Sequence, residues 1–257
     1  MSANFEKFKA LHQAKELFVL PNAWDAKSAT LFQENHFQAV GTSSAAVAAS
    51  LGYQDGENMS FSEYLFVIQR ILASVKIPVT IDIEMGYGKT KEQILGNIVR
   101  LTDLGVVGIN IEDSIIRDSK RSLQNAKDFA TVIEYIKNKL ASANRSLFIN
   151  LRCDTYILNV PDRAKETTQR LRVYEAAGAD GIFLPFIHEE KDIALAVSNT
   201  NLPVNVMCVP DLPDFKTLQE LGVKRVSMGP FLFNKAYKTA GELSKEVLTQ
   251  KSFSPIL

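Results

Sequence analysis

The sequence contains few of the residues that characterise secreted, redox-active or membrane-spanning proteins. Only two cysteines occur among the 257 residues, Cys153 and Cys208, and both lie in apolar, strand-like runs without metal-binding or redox spacing. We expect them to be buried free thiols in a reducing cytosol. The first residues lack the apolar core of a signal peptide, and no apolar run approaches the length of a membrane span. These absences predict a soluble, cytoplasmic protein without a membrane partner.

The chain also lacks an excess of charge of either sign. Lys and Arg together number 29, as do Asp and Glu, so the formal net charge is zero. Without a basic stripe or a polybasic segment, neither nucleic acid nor an anionic membrane surface is an expected partner. The three histidines show no spacing to a serine, cysteine or acid that is typical of a catalytic triad or dyad. A small molecule remains the expected partner.

Short apolar runs alternate with longer amphipathic runs along the whole sequence. The short runs predict strands at residues 18–20, 39–43, 78–84, 106–112, 147–153, 181–185, 204–208 and 225–228. The longer runs predict helices at residues 62–75, 91–104, 125–140, 162–177 and 214–221. No linker or low-complexity segment divides the chain, so residues 1–257 are predicted to form one domain.

Eight strand–helix units are what a (β/α)₈ TIM barrel needs. The alternative is an open doubly wound sheet, which usually binds its cofactor at a glycine-rich loop after the first strand. Here the first strand runs into Pro21-Asn22-Ala23-Trp24-Asp25, without a glycine. The sequence therefore favours the barrel, and active sites of barrels lie at the carboxyl ends of the strands.

Three acids end two neighbouring predicted strands: Asp82, Glu84 and Glu112. Because side chains alternate along a strand, Asp82 and Glu84 are predicted to share one face and to point into the barrel mouth. Crowded carboxylates cost free energy unless a cation neutralises them. An oxygen-only ligand set favours Mg²⁺, or Mn²⁺, over zinc. The alternative is that these acids cap helices or pair with lysines.

Arg152 ends the fifth predicted strand and follows Asn150 on the same face. Its guanidinium is placed either to bind a substrate carboxylate or a developing oxyanion, or to form a buried salt bridge with Asp154 or Glu112. Both interpretations stay open at this point.

Small residues follow the second predicted strand, where Ser43, Ser44 and Ala45 would let backbone N–H groups approach an anion. Taken alone, these residues are better explained by a plain turn between a strand and a loop. Asp55 lies further along the same loop, either as a turn residue or as a group that supports the metal.

These residues resemble the isocitrate lyase/phosphoenolpyruvate mutase superfamily. The resemblance rests on the order and spacing of five motifs and covers nearly the whole chain. They are Leu20-Pro21-Asn22-Ala23-Trp24-Asp25, Gly41-Thr42-Ser43-Ser44, Gly52-Tyr53-Gln54-Asp55, Asp82-Ile83-Glu84-Met85-Gly86-Tyr87-Gly88 with the later Glu112-Asp113, and Ala177-Gly178-Ala179-Asp180-Gly181.

The resemblance implies that Mg²⁺ binds a 2-oxo or enolate-forming carboxylate at the barrel mouth. It places the metal-shell acids at Asp82, Glu84 and Glu112, the loop aspartate at Asp55, the site arginine at Arg152, and the substrate-carboxylate contacts at Ser43, Ser44 and Ala45. The family often has aspartate where this chain has Glu84. It also forms dimers and tetramers with an exchanged C-terminal helix, which implies a homo-oligomer in which residues 231–250 supply that helix.

At several positions the sequence departs from the family pattern, and these departures argue against some of the family's known reactions. Segment 114–122, the expected gate over the site, contains neither the cysteine and histidine of the lyases nor the asparagine of the phosphonate-processing members. Pro185 replaces the glutamate or histidine after strand six, and Met207-Cys208-Val209 replaces Asn-Ile-Thr after strand seven. These changes argue against isocitrate lyase, methylisocitrate lyase and phosphoenolpyruvate mutase in their standard forms.

The resemblance implies a Mg²⁺-dependent enzyme that acts on a small 2-oxo or 2-hydroxy carboxylate through a metal-stabilised enolate and breaks a C–C bond. One alternative is a mutase or hydrolase that acts on a C–P bond. Another is a barrel that binds a keto acid without catalysis. Arg117, Lys120 and Arg121 of the gate either meet a distal anionic group of the substrate or stay solvated. No residue is identified as the general acid or base.

Overall fold

The computed structural model describes residues 2–117 and 120–257. Asp118 and Ser119, in the predicted gate, lie outside the described residues. The strands are β1 (Phe18–Leu20), β2 (Asn22–Ala23), β3 (Val40–Thr42), β4 (Val79–Asp82), β5 (Gly108–Glu112), β6 (Ser114–Arg117), β7 (Lys120–Leu123), β8 (Phe148–Arg152), β9 (Gly181–Leu184), β10 (Val204–Met207) and β11 (Arg225–Ser227). The helices are α1 (Ala3–Gln13), α2 (Ala26–Glu34), α3 (Ser44–Ser50), α4 (Phe61–Ser74), α5 (Lys91–Asp103), α6 (Ala126–Ser142), α7 (Arg163–Ala176), α8 (Glu190–Ser198), α9 (Phe215–Glu220) and α10 (Phe231–Gln250), followed by a 3₁₀ turn at Ser254–Ile256.

Nine parallel strand segments form one sheet in the order β1-β11-β10-β9-β8-β5-β4-β3-β2. Its two ends meet at Pro21, which separates β1 from β2 because proline has no N–H to donate. The carbonyl oxygen of Pro21 accepts from Gly41 N at 2.9 Å, and that of Leu20 accepts from Met228 N at 3.2 Å. β1 and β2 thus act as one strand that joins both edges, and the predicted (β/α)₈ barrel is confirmed.

The strands alternate between an apolar outer face and a polar inner face. Ile109 and Ile111 of β5 are buried in the apolar core beneath the helices. Asn110, between them, points inward and accepts from Arg225 Nη2 at 2.9 Å. Arg225 is fully buried and also donates to Asn205 Oδ1 at 2.7 Å. The barrel interior below the mouth is therefore a hydrogen-bonded polar layer.

Helix α1 covers the amino-terminal end of the barrel, and His12, for which the sequence suggested a solvated helical position, is helical but buried. Phe8 and His12 of α1 pack among Phe18 and Phe148, and the His12 ring stacks on Phe148 at 4.1 Å. Burial, together with the nearby charge of Arg225, lowers the pKa of His12 to about 3. His12 is therefore neutral and structural.

The predicted strands lie within a few residues of the observed ones, but two features differ from expectation. Cys153 is buried as expected, whereas Cys208 is exposed because it follows the end of β10. The segment after Glu112, for which no strand was predicted, contains the antiparallel pair β6 and β7. None of the helices within residues 2–117 and 120–257 is both long and apolar enough to span a bilayer.

A buried carboxylate anchors α7 to the barrel mouth. Asp113, directly after β5, accepts from Tyr174 Oη at 2.6 Å, from Arg170 Nη1 at 2.9 Å and from Asp154 N at 2.9 Å. Both Asp113 and Arg170 are buried. Loss of Arg170 would leave Asp113 buried without a cation, whereas loss of Asp113 would leave Arg170 with only the partly exposed Glu166, at 2.7 Å.

We predict that Asp113→Ala lowers the free energy of unfolding by about 3 kcal/mol, because Arg170 loses its buried counterion. Urea denaturation measures this change. The control is Lys238→Ala, which removes an exposed pair with Glu242 at 3.9 Å and is expected to cost less than about 0.5 kcal/mol. Similar small costs for both variants would contradict a structural role for Asp113.

Candidate active site

A cavity of about 170 Å³ opens at the carboxyl ends of the barrel strands. It has two chemically distinct halves. The polar half follows β2, β3, β4, β5 and β8 and contains Asn22, Ser43, Ser44, Asp82, Asn110 and Arg152, with Ala45 and Asp55 at its edge. The mainly apolar half lies beyond β8 and contains Ile157, Phe183, Pro185, Phe186, Met207, Gly229, Pro230 and Phe231, with one hydroxyl, that of Ser227 at the end of β11.

Asp82 presents an unsatisfied carboxylate oxygen in the cavity lining. Its Oδ2 accepts from Ser44 Oγ at 2.9 Å, whereas Oδ1 is buried without a hydrogen-bond partner. Burial raises the pKa of Asp82; the positive charge of Arg152 lowers this pKa and the negative charge of Asp55 raises it. The net direction is upward, which means that the carboxylate charge is only partly compensated.

The backbone of Asp82 is fixed from outside the barrel by α4. The hydroxyl of Tyr64, a fully buried residue, donates to Asp82 O at 2.8 Å and lies 2.6 Å from Thr42 Oγ1. Thr42 Oγ1 in turn accepts from Asp82 N at 3.0 Å. These bonds hold the ends of β3 and β4 together and determine the direction in which Asp82 leaves the strand.

Glu84 does not continue the strand alternation predicted for it. β4 ends at Asp82, and Glu84 has a φ of +51°, outside the extended region. Its Oε2 accepts from Glu57 N and its Oε1 from Tyr87 Oη, both at 2.9 Å, and it does not line the cavity. The expectation that Asp82 and Glu84 share one face is therefore not met.

Burial, and then the negative charges of Asp55 and Asp82, raise the pKa of Glu84 to about 8. Three acids thus lie close enough to repel one another electrostatically, although only Asp82 and Asp55 line the cavity. A cation at this edge of the mouth would relieve the repulsion.

Glu112 is neutralised by arginines. Its Oε2 lies 2.9 Å from Arg152 Nη1, and its Oε1 pairs with Arg121 Nη1. Arg152 also binds Asp154 through Nε at 2.6 Å and Nη2 at 3.3 Å. Both interpretations of Arg152 are thus compatible, since its guanidinium lines the cavity while buried salt bridges hold it in place.

Arg121 is placed differently from either expectation for the gate. The β6–β7 hairpin turns it inward, where Nη1 donates to Ser114 Oγ at 2.9 Å and lies 3.6 Å from Asp154 Oδ2. It therefore pairs with protein carboxylates, neither solvated nor free for a distal substrate group. The buried salt bridges of Arg152 with Asp154 and Glu112 are the ones that the sequence suggested. The inward pairing of Arg121 with Glu112 and the hydroxyl of Ser114 was not anticipated, and no local sequence signal indicated it.

The small-residue segment lies at the cavity as predicted, but its hydroxyls are engaged. Ser43 Oγ accepts from Ala46 N at 3.3 Å and caps α3, while Ser44 Oγ donates to Asp82. Ala45 lines the cavity beside them. Binding of a substrate carboxylate by this segment stays a prediction.

Within the part of the chain that the structure describes, no three His, Cys, Asp or Glu side chains group as a ready metal cluster. The buried, unpartnered Oδ1 of Asp82 nevertheless suits a divalent cation. Asp82 is the best-placed direct ligand, since protein donors already hold Glu84 and Glu112. The full set of Asp82, Glu84 and Glu112 stays a prediction.

Comparison with known proteins decides the family. The sequence model of the family described as phosphoenolpyruvate phosphomutase matches residues 8–248. The chain belongs to this family. An uncharacterized protein of Mycobacterium tuberculosis is 35% identical over 93% of this chain and 88% of its own. The oxaloacetate decarboxylase of Ectopseudomonas mendocina is 27% identical over 93% of this chain and 82% of its own.

A solved structure from Burkholderia cenocepacia, with an inferred phosphonomutase assignment, superposes on this family member with a TM-score of 0.89. It is 34% identical and covers 95% of this chain and 100% of its own. The predicted membership of the isocitrate lyase/phosphoenolpyruvate mutase superfamily is confirmed. Relatives in this superfamily are named as lyases and mutases.

We predict that the metal-free protein becomes less stable as pH rises toward 8. Glu84 has a pKa near 4.5 when unfolded and about 8 when folded, so the folded state retains a proton that the unfolded state loses. This contribution is complete below pH 4.5 and is lost as pH rises through about 8. Thermal melting in EDTA across this range measures it.

Glu84→Gln is expected to reduce this pH dependence, because glutamine does not titrate. The matched control, Glu246→Gln on the exposed surface of α10, should leave it unchanged. If Glu84→Gln and the wild type lose stability in parallel, Glu84 is not the titrating group.

Proposed function

We propose that this family member is a divalent-metal-dependent carbon–carbon lyase that decarboxylates a small 2-oxo diacid of the oxaloacetate type. One observation carries the proposal. Among the described residues that line the cavity, the only ionisable side chains are Asp55, Asp82 and Arg152, and none lies in the apolar half. Decarboxylation releases CO₂ without a general base. A C–C cleavage that releases an aldehyde needs a base to remove the hydroxyl proton of the departing fragment.

The polar half would hold the C1 carboxylate and the C2 oxygen of the substrate. Asp82 would bind the metal directly, and Asp55, Glu84 and Glu112 would support it, partly through water. When bound, the divalent cation supplies Lewis-acid stabilisation of negative charge on the C2 oxygen. Arg152, held by Asp154 and Glu112, stabilises the same charge through its preorganised guanidinium.

The bond that breaks is C3–C4. Its electron pair moves toward C2, the negative charge collects on the C2 oxygen beside Arg152, and C4 leaves as CO₂. A proton from water then adds to C3 and gives the 2-oxo monoacid. The electron count balances without an oxidant or a second substrate.

The names of several relatives agree with this proposal. Proteins named oxaloacetate decarboxylase from Ectopseudomonas and Pseudomonas species are 25 to 27% identical over most of both chains. A C–P bond reaction is the second candidate, supported by the phosphonomutase assignment of the Burkholderia protein. The described residues of the apolar half include no cation, so a dianionic phosphono group would lose more hydration there than a singly charged carboxylate, which argues against the C–P reaction.

We predict that oxaloacetate decarboxylation requires the metal and Asp82. The assay follows pyruvate formation with Mg²⁺ and with EDTA. Asp82→Asn is expected to lower kcat/KM by about 100-fold, since it removes a charge that organises the transition state. Asp211→Asn, at an exposed position outside the cavity, is the control and should retain wild-type activity.

Turnover that survives both EDTA and Asp82→Asn would contradict the proposal. Phosphonopyruvate is included in the panel, and faster reaction of this compound would favour the C–P alternative. Saturable binding of 2-oxo acids without any turnover would favour a non-catalytic binding protein.

We also propose that the chain forms a homo-oligomer through α10. Phe233 is the only buried residue of this 20-residue helix. Tyr237 and Leu248 are 56% and 80% exposed, and an apolar helix face of this kind is typical of an interface. Light scattering should give the mass of a dimer or tetramer. Leu248→Glu should lower that mass, whereas a monomeric wild type would contradict the proposal.

A further inference from the structure

The apolar half of the cavity is a separate hydrophobic cluster rather than an edge of the barrel core. Phe183 and Met207, at the ends of β9 and β10, are 5% and 8% exposed and pack with Val209. Phe231 packs against this cluster from the start of α10. The side chain of Met207 lies close to Gly229, where an added Cβ would be 2.6 Å from the Met207 sulfur.

No positive charge is available to this cluster from the described cavity lining. Arg152 is the only cationic residue among those lining residues, and it is paired with Asp154 and Glu112. Arg121, on β7, is also unavailable because it is paired with Glu112. A carboxylate placed against Phe183 and Met207 would therefore lose hydration without gaining a counterion, which costs free energy.

The barrel topology directs the leaving group toward this cluster. The polar half follows β2 to β5 and β8, whereas Phe183 and Met207 end β9 and β10 further around the ring. A 2-oxo diacid whose C1 and C2 oxygens lie at Asp82 and Arg152 projects C3 and C4 across the cavity. Its second carboxylate then lies against the apolar wall.

We propose that Phe183, Met207 and Phe231 form a leaving-group subsite for the C4 carboxylate of a 2-oxo diacid, and that desolvation there accelerates its loss as CO₂. This inference rests on the proposed decarboxylation. The substrate carboxylate is charged before C3–C4 cleavage, whereas the CO₂ that forms is not. The negative charge passes to the C2 oxygen at Arg152, so the wall disfavours the bound substrate more than the transition state.

The test replaces the apolar wall with a hydrogen-bonding one of similar size. Met207→Gln places an amide in the cavity lining, and Met207→Leu is the matched apolar control of similar volume. With oxaloacetate, Met207→Gln is expected to lower kcat by about tenfold while KM stays the same or falls, because the bound carboxylate is better solvated. Met207→Leu should keep kcat within about twofold of the wild type.

Oxalate binding gives a readout that does not depend on turnover. Oxalate resembles the C1–C2 part of the enolate and has no C4 carboxylate, so calorimetry with Mg²⁺ present should give the same Kd for the wild type and Met207→Gln. Unchanged Kd also shows that the polar half is intact in the variant.

Two results overturn the inference. If Met207→Gln keeps wild-type kcat, or raises KM with kcat unchanged, the wall only binds the substrate and does not accelerate cleavage. If both Met207 variants lose oxalate binding, the effect is structural. Failure of the proposed function differs from failure of the leaving-group subsite, because in the first case the wild type would release no CO₂ from oxaloacetate.

Discussion

Buried negative charge at the barrel mouth is the constraint on which the site depends. Glu112 ends β5, Asp113 follows it, and Asp154 follows β8, the strand that pairs with β5. All three acids are fully buried. Each finds a cation, with Glu112 on Arg152 and Arg121, Asp154 on Arg152, and Asp113 on Arg170. Asp82 Oδ1 and Glu112 Oε2 are both buried without a hydrogen bond, but Glu112 Oε2 lies 2.9 Å from Arg152 Nη1, whereas no ion pair is found for Asp82 among the described residues. The residual charge is therefore localised at one carboxylate, which faces the cavity.

The barrel produces this charge distribution because side chains alternate between the outer and inner faces of its strands. Outward side chains such as Ile109 and Ile111 bury apolar surface under the helices, which is the main favourable contribution to folding. Inward positions are then free to carry polar groups, provided that these are hydrogen-bonded. Arg225 with Asn110 and Asn205 meets that condition below the mouth. The polar layer supports the floor of the cavity from one side, while α4 fixes Asp82 from the other through Tyr64.

Strand number, barrel class and the location of the site were predictable from sequence because they follow from local patterns. Period-two apolar runs give strands, and parallel strands bring their carboxyl ends to one mouth. Asp82 and Arg152 consequently lie at the cavity. The placement of Glu84 was not predictable, since its backbone leaves the strand with a positive φ and its carboxylate accepts from Glu57 and Tyr87, which belong to other parts of the loop region. The inward turn of Arg121 depends likewise on hairpin pairing and on distant carboxylates.

The most direct test of a divalent-metal site at Asp82 measures metal binding rather than turnover. Mn²⁺ is titrated into the wild type and Asp82→Asn by electron paramagnetic resonance, with and without oxalate. We expect the wild type to bind Mn²⁺ more tightly when oxalate is present, and Asp82→Asn to bind it at least about tenfold more weakly. Equal Mn²⁺ affinity of the two proteins, or the absence of binding to the wild type, would contradict a metal site at Asp82.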